Sequence, residues 1–507
     1  MARMATPPGQ VRLATPWLLA AVLTAGVLSM GQLVWAALDD RMEHVYPAPD
    51  GPVVVAGPVN SAFAGLTTFR GNLSRSYYGE GPVPQAPEVR WRAPLDGSTW
   101  CSLSAEGRDP SDTKEWCGTG WTGQPNVVSL VGGGAEVREG AFDRNYHFQD
   151  GESGAPVRPD LLTGDLAKGS ATTDPDNYPL YYAGSRDNQF RIVALDRPEP
   201  TVLWQIDAND SVPRPLWNDD WDGAALVVDG YLLEGGENGW LYVIRLNRGR
   251  DADGLVTVDP QVVATIQGFD DQLLADIGDE DVSIESSVAF RDGVVYFANS
   301  GGLVQGWDIS DLLAGGTEYE QVFRFWTGDD TDASVVIDEQ GFLYVASEWQ
   351  RFNERGKIGQ LMKLDPRLAD DPIVWIRPAM EIGFEGAGGS WSTPALYGDY
   401  VYFTTAAGRV LEMDRNTGDI AWEIQIGSPA IGSPVVVDGM LLQGDCTGHL
   451  YAWDVSDPTV IPPLRWNLDL GDCIESTPAV WRGWLYVGTR EGYLFGITDP
   501  TTPRSSL

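Results

Sequence analysis

Histidine and cysteine are nearly missing from this sequence. Its 507 residues hold three His (His44, His147, His449) and four Cys (Cys101, Cys117, Cys446, Cys473). No C-x-x-C pair, no C-x-x-C-H haem site and no H-x-x-x-H zinc pair occurs. A G-x-S-x-G elbow, a P-loop and a G-x-G-x-x-G turn are missing too. Zinc hydrolysis, nucleotide-phosphate chemistry and acyl transfer from serine therefore lack their usual parts. Lysine is scarce as well, limited to Lys114, Lys168, Lys357 and Lys363. The balance of 34 basic against 72 acidic residues leaves a formal net charge of -38. Nucleic acid and anionic membrane surfaces are excluded as partners, because neutralising phosphates takes clustered Lys and Arg.

Apolar residues, glycine and tryptophan are plentiful. A hydrophobic share of 43% supports a large core and excludes global disorder. The 59 Gly and 34 Pro favour many tight turns over long helices, and the 20 Trp require a structural role.

Residues Trp17 to Leu38 carry no charged side chain, with Arg3 and Arg12 before them and Asp39 and Asp40 after. Such a run can cross a bilayer of about 30 Å as a helix. The flanking charges predict residues 1–16 inside and residues 39–507 outside the cytoplasm. The run exceeds a usual signal core, so a retained single-pass anchor is the expectation. The alternative is a cleaved signal peptide and a secreted protein, with Val34-Trp35-Ala36 as peptidase site. The stretch 39–85, rich in Pro, Gly and Ser, is expected to act as a tether.

From about residue 86 the chain repeats itself. Short strands end in a Gly-centred turn at Gly230, Gly293, Gly341, Gly398, Gly439 and Gly483, spaced 41 to 63 residues apart. A second Gly turn follows in NGWLYVIRL, GRVLEMD, GHLYAWD and GYLFGITD, and an aromatic-bearing strand closes each unit at Trp204, Trp326, Trp375, Trp422 and Trp466. Ser433-Pro434 through His449-Leu450-Tyr451-Ala452-Trp453-Asp454, and Gly408 to Asp414 with Thr417-Gly418 and Trp422, resemble the pyrroloquinoline-quinone-type (PQQ-like) repeat. The resemblance covers about 86–498 and implies an all-β propeller of four-stranded blades. Inner strands start near Gln124, Gly223, Ser286, Ala333, Thr393, Ser433 and Thr477, which predicts seven blades. Eight is the alternative, if residues 131–180 hide another unit rather than a loop insertion. The unattached segment Val89-Arg90-Trp91-Arg92-Ala93 is expected to close the ring by pairing with the last unit, which ends near Thr498 and leaves 499–507 as a tail. The Trp surplus then packs between blades.

In such blades the loop into the inner strand and the loop between the middle strands share a face. The pairings Cys101–Cys117 and Cys446–Cys473 are therefore expected, both on that face, as suits an exported chain. One column at the start of the inner strands reads Thr122, Asp222, Glu285, Asp332, Trp391, Ile431 and Glu475. Asp222, Glu285, Asp332 and Glu475 are expected to rim the axial channel, where calcium would relieve their repulsion.

The resemblance implies two kinds of relative, quinone-dependent dehydrogenases and a non-catalytic outer-membrane assembly factor. Those enzymes hold their quinone over adjacent cysteines beside a calcium. No adjacent Cys pair occurs here, so neither a catalytic residue nor bound PQQ is expected. The expected function is that of a non-catalytic, exported and membrane-tethered binding or assembly scaffold, monomeric, with a protein or small molecule as ligand. The alternative is a PQQ- and calcium-dependent alcohol or sugar dehydrogenase. Mass analysis of the mature chain tests the anchor: a retained Arg3–Arg12 peptide is the expected result, and a start at Ala37 would refute retention.

Overall fold

The computed structural model describes residues 57–105, 111–121, 123–368 and 370–500. The apolar run 17–38 lies outside the described residues. Among those described, no helix is long and apolar enough to cross a membrane.

Local chemistry sets the hairpins. At Asp229-Gly230, Asp292-Gly293 and Asp438-Gly439 both central residues take positive φ (49° and 81°, 51° and 87°, 50° and 73°). Such paired left-handed residues make the two-residue turn whose twist matches flanking antiparallel strands, and glycine adopts it without a Cβ clash. Eight blades of four antiparallel strands follow one another around an axis, and the first and last blades each gain a fifth strand from the segment before them. Blade 1 begins at Asn126–Ser129, blade 2 at Thr172–Thr173, blade 3 at Leu226–Val228 and blade 4 at Ala289–Arg291. Blades 5 to 8 begin at Val336–Ile337, Ala395–Tyr397, Val435–Val437 and Ala479–Trp481.

The expectation of seven blades is thus corrected to eight. Residues 131–180 are not a loop insertion: they supply three strands of blade 1 (Ala135–Gly140, Asn145–Asp150, Leu161–Leu162) and the inner strand of blade 2. The acidic segment 268–283, between blades 3 and 4, adds no strand to the sheets. It forms a short helix, Asp271–Ile277, N-capped by the Asp270 side chain.

Closure follows the expected pairing. Glu88–Ala93 is the outer strand of blade 8, antiparallel to Tyr493–Thr498, with Trp91 opposite Gly496. Trp rings seal neighbouring blades. The Trp91 Nε1 donates to Gly151 O of blade 1, and Trp375 of blade 5 covers Gly418 of blade 6, where a Cβ would lie 2.6 Å from the ring.

Inner strands are joined sideways by small hydroxyl side chains. Ala224 N donates to Ser287 Oγ (2.9 Å), Ser287 N to Ser334 Oγ (2.9 Å) and Ser334 N to Thr393 Oγ1 (3.0 Å). The ladder continues from Thr393 N to Ser433 Oγ (2.9 Å) and from Ser433 N to Thr477 Oγ1 (3.3 Å), and Thr477 N reaches Gly123 O (2.7 Å). That ladder is the physical reason for the small residue ahead of each inner strand.

The expected tether behaves differently from Gly57 onward, where it fills the axis. Gly65–Leu66 pairs antiparallel with the inner strand of blade 1, and Gly79–Glu80 pairs parallel with that of blade 8. Between them the chain turns at Arg70 and Arg75, both fully buried at 0% exposure. Arg75 donates to Ala224 O (2.6 Å) and Val288 O (2.8 Å) of blades 3 and 4. Arg70 donates to Thr393 O (2.6 Å), Pro394 O (2.7 Å) and Pro434 O (2.7 Å) of blades 6 and 7. Burial pulls Arg70 down to about 10 and Arg75 to about 9, so both remain charged at neutral pH. A loose tether fails here because the inner edges need donors that only an ordered segment supplies.

Arg75→Met should lower stability by about 3–9 kcal/mol, since the buried carbonyls of Ala224, Val288 and Phe69 each lose a donor at about 1–3 kcal/mol. Denaturant unfolding with an unchanged slope measures it, and a loss under about 1 kcal/mol would deny the arginine this role.

Candidate functional site

The face opposite the inner-hairpin turns carries both disulfides. Cys101 and Cys117 stand directly opposite each other in the hairpin Cys101–Ala105 and Thr113–Cys117, and they are bonded. Cys446 bonds Cys473, whose sulfurs pack with Trp391 and Ile431 in a small apolar cluster. Both expected pairings are present, and among the described residues no cysteine is free. Trp100, leading into the first hairpin, stacks on His147 with ring centres 3.9 Å apart. Burial would lower the His147 pKa, but hydrogen bonds to Asp143 and Asp160 raise it instead.

On this face the entering and middle loops of blades 3 and 5 gather carboxylates into two groups. Within each, ligand oxygens lie within 4.8 Å of one another: Asp220, Asp222 and Glu237, and separately Asp330, Asp332 and Glu348. A cation from blade 2's entering loop already holds the first group. The Lys168 Nζ sits 3.0 Å from Asp220, 2.7 Å from Asp222 and 3.3 Å from Glu237. Desolvation works against its charge, yet Asp222, Glu237 and Asp220 hold its pKa well above the usual lysine value.

No lysine or arginine makes an ion pair with the second group among the described residues. Gln350 Nε2 donates to Asp330 (2.7 Å) and Ser300 Oγ to Asp332 (3.2 Å). Glu348 is 1% exposed, and neither of its oxygens receives a hydrogen bond. Burial first, then the Asp332 charge, pushes the Glu348 carboxyl well above the ordinary range. Asp330 and Glu285 shift upward for the same two reasons. Trp121 Nε1 donates to Glu285 at 2.7 Å. The region has an excess of buried carboxylates that a divalent cation with oxygen ligands would offset.

Of the four carboxylates expected at the rim, three interact electrostatically: Glu285, Asp332 and Asp222. Asp222 is taken by Lys168, and Glu475 is held by Arg490 at 3.0 Å. Trp391 and Ile431 line the disulfide cluster, and Thr122 lies outside the described residues. Asp220, Asp330, Glu237, Glu348 and Lys168 were not foreseen. Two of them had a visible signal: Asp220-Trp221-Asp222 and Asp330-Thr331-Asp332 place a second carboxylate two residues ahead of the column.

A family model described as outer membrane protein assembly factor BamB matches residues 358–497. Quinoprotein alcohol dehydrogenase PedH of Pseudomonas putida is 27% identical over 191 residues, 32% of this chain and 30% of that protein. The assembly factor BamB of Moranella endobia is 27% identical over 105 residues, 20% of this chain and 26% of that one. The chain is thus similar to the PQQ-like β-propeller repeat proteins. This PQQ-like propeller spans less than a third of the length of either relative. Two solved structures share its fold. A quinohaemoprotein alcohol dehydrogenase from Pseudomonas putida HK5 has a TM-score of 0.55 at 11% identity, covering 88% of this chain and 81% of that one. A europium-containing methanol dehydrogenase has 0.54 at 12%, covering 86% and 98%.

Glu348 fixes the sign of a pH effect. Its folded pKa lies above the unfolded value of about 4.3, so the folded state keeps a proton that the unfolded state has lost. Stability therefore falls as pH rises through that interval. Glu348→Gln should flatten the slope and stabilise the cation-free protein at pH 7 but not at pH 4. Urea midpoints across that range check this, and parallel profiles for the two proteins would contradict it.

Proposed function

We propose that this PQQ-like propeller is an exported, non-catalytic binding or assembly scaffold whose channel mouth takes a divalent cation, calcium by its oxygen donor set. The observation that carries the reading is the occupied axis: residues 57–80 run through the channel and donate to its inner edges from Arg70 and Arg75. The mouth above is lined with carboxylates, and the cations Lys168, Arg351 and Arg490 are engaged by Asp220, Asp222 and Glu237, by Asp279 and Asp281, and by Glu475. Such a lining suits a cation and fits an anionic quinone poorly, because pyrroloquinoline quinone is itself a polycarboxylate. The Cys446–Cys473 bridge joins residues 27 apart in sequence, unlike the adjacent pair on which the dehydrogenases seat their quinone. Asp330, Asp332 and Glu348 would hold the calcium, with Glu285 beside them.

The charges flanking residues 17–38 support a membrane tether with the propeller outside the cytoplasm, or else secretion after cleavage. A protein or small molecule in that compartment is the partner. The acidic surface argues against nucleic acid.

Adding millimolar calcium should raise the melting temperature, because binding to the folded state alone stabilises by RT ln(1 + [L]/Kd), about 2.7 kcal/mol at a hundredfold excess. Asp332→Asn and Glu348→Gln should abolish the shift while Glu475→Gln keeps it. No shift, or one that survives both changes, would remove the calcium site. Dye reduction with alcohols or sugars after loading with PQQ and calcium would replace the scaffold by the dehydrogenase.

A further inference from the structure

Off the axis, on the same face, a cavity of about 410 Å³ opens between blades 2 and 3. Its volume falls in the roughly 300–1,000 Å³ range of small-molecule sites. Asp165 reaches it from the loop entering blade 2, and Arg186 from that blade's middle loop. Asn209, Trp217, Asn218 and Asp219 come from the segment linking blades 2 and 3.

That segment is held rigid around the cavity. Leu216 N donates to Asn238 O (3.1 Å), the Trp240 indole to Arg214 O (2.8 Å) and the Trp221 indole to Asn188 O (3.0 Å). Asn218 donates to Glu237 (2.6 Å) and Asn209 to Asp219 (2.8 Å). Trp217 between these pins has φ of 63°, a left-handed conformation that a bulky side chain rarely adopts. Strain of this kind persists only where the surroundings over-determine it, and here it leaves a half-buried indole on the cavity wall.

The charges select the ligand. The Arg186 guanidinium is engaged by Asp220 (3.3 Å) and Ala105 O (2.9 Å). Asp165 accepts from Leu166 N and makes no ion pair with any described residue. An anion would find no available cation and would meet the carboxylates of Asp165, Asp219 and Asp220. A flat indole, amides and a carboxylate together suit the apolar face and hydroxyl rim of a sugar ring.

We propose that this cavity binds a hexose, and better a hexosamine whose ammonium pairs with Asp165. The proposal is independent of the calcium reading, since Asp330, Asp332 and Glu348 take no part in the cavity. The test is saturation-transfer NMR and calorimetry on the folded full chain with glucosamine, glucose and glucuronate. Glucosamine and glucose should bind in the millimolar range or tighter, with glucuronate weaker by about tenfold or more. Trp217→Ala should weaken both sugars about tenfold at unchanged melting temperature. Asp165→Asn should weaken glucosamine more than glucose, narrowing the gap between them. Should Trp217→Ala fail to fold, Asn218→Ala provides the second loss-of-contact variant. No transfer to any sugar, glucuronate binding equal to glucose, or sugar binding indifferent to these changes would overturn the proposal.

Discussion

A ring of blades leaves its innermost strands with one edge unpaired, facing the axis. Backbone donors and acceptors on that edge are buried among their neighbours, and each costs free energy if left without a partner. Two devices answer this constraint. Hydroxyls of Ser287, Ser334, Thr393, Ser433 and Thr477 take amide protons from the preceding blade. The chain's own segment 57–80 takes the centre: Thr173 N, Phe290 N and Ile337 N donate to the carbonyls of Thr67, Leu73 and Ser74, while Arg70 and Arg75 satisfy carbonyls in return. Arginine suits this task because its planar fork serves several carbonyls while keeping its charge at about 9 to 10, well above neutrality.

The same segment that fills the axis goes on to form the outer strand of blade 8. Residues 57–93 therefore couple ring closure to channel filling, and their strand pairings with blades 1 and 8 join residues distant in sequence. Such long-range pairing leaves little trace in local composition. This explains why the stretch from Asn60 to Glu80 reads as a linker: its Gly, Pro and Ser look alike in a tether and a plug, and its arginines are matched by carbonyls instead of carboxylates. Closure itself was legible because Glu88–Ala93 keeps the aromatic outer-strand pattern with no inner strand attached.

Blade counting failed at one place for a local reason. The inner strand of blade 2 is only Thr172–Thr173, and Asp174-Pro175-Asp176-Asn177 replaces the Gly turn found elsewhere. The Asp174 side chain is built into that substitute, accepting from Asp176 N, from Tyr182 and from Arg248. A hydrogen-bonded polar turn does the work of a left-handed glycine, and the repeat signal vanishes with it. The candidate site was half legible for a similar reason. Column alignment finds side chains that open an inner strand, such as Asp222 and Asp332. It cannot find Lys168 or Glu348, which come from other loops and meet those carboxylates only in three dimensions.

The two carboxylate groups show how one missing cation changes the chemistry of a symmetrical arrangement. Blades 3 and 5 both present Asp-x-Asp ahead of the inner strand and add a Glu from the blade's own middle loop. Beside blade 3, Lys168 is supplied by the preceding blade, and its charge is held by three carboxylates at 2.7 to 3.3 Å. Beside blade 5, the arginine nearest in sequence, Arg351, pairs instead with Asp279 and Asp281 in the segment before blade 4. Burial raises the cost of charge in both places: beside Lys168 it still pushes Glu237 well above the ordinary range and Asp220 up to about 6, and in the second group it pushes Glu348 well above that range with no lysine or arginine paired to it. A protonated buried carboxyl can exchange its proton for a metal ion at neutral pH, whereas a carboxylate paired with lysine must first lose its partner. The repeat architecture thus yields one carboxylate group that holds a lysine and one that pairs with no lysine or arginine among the described residues.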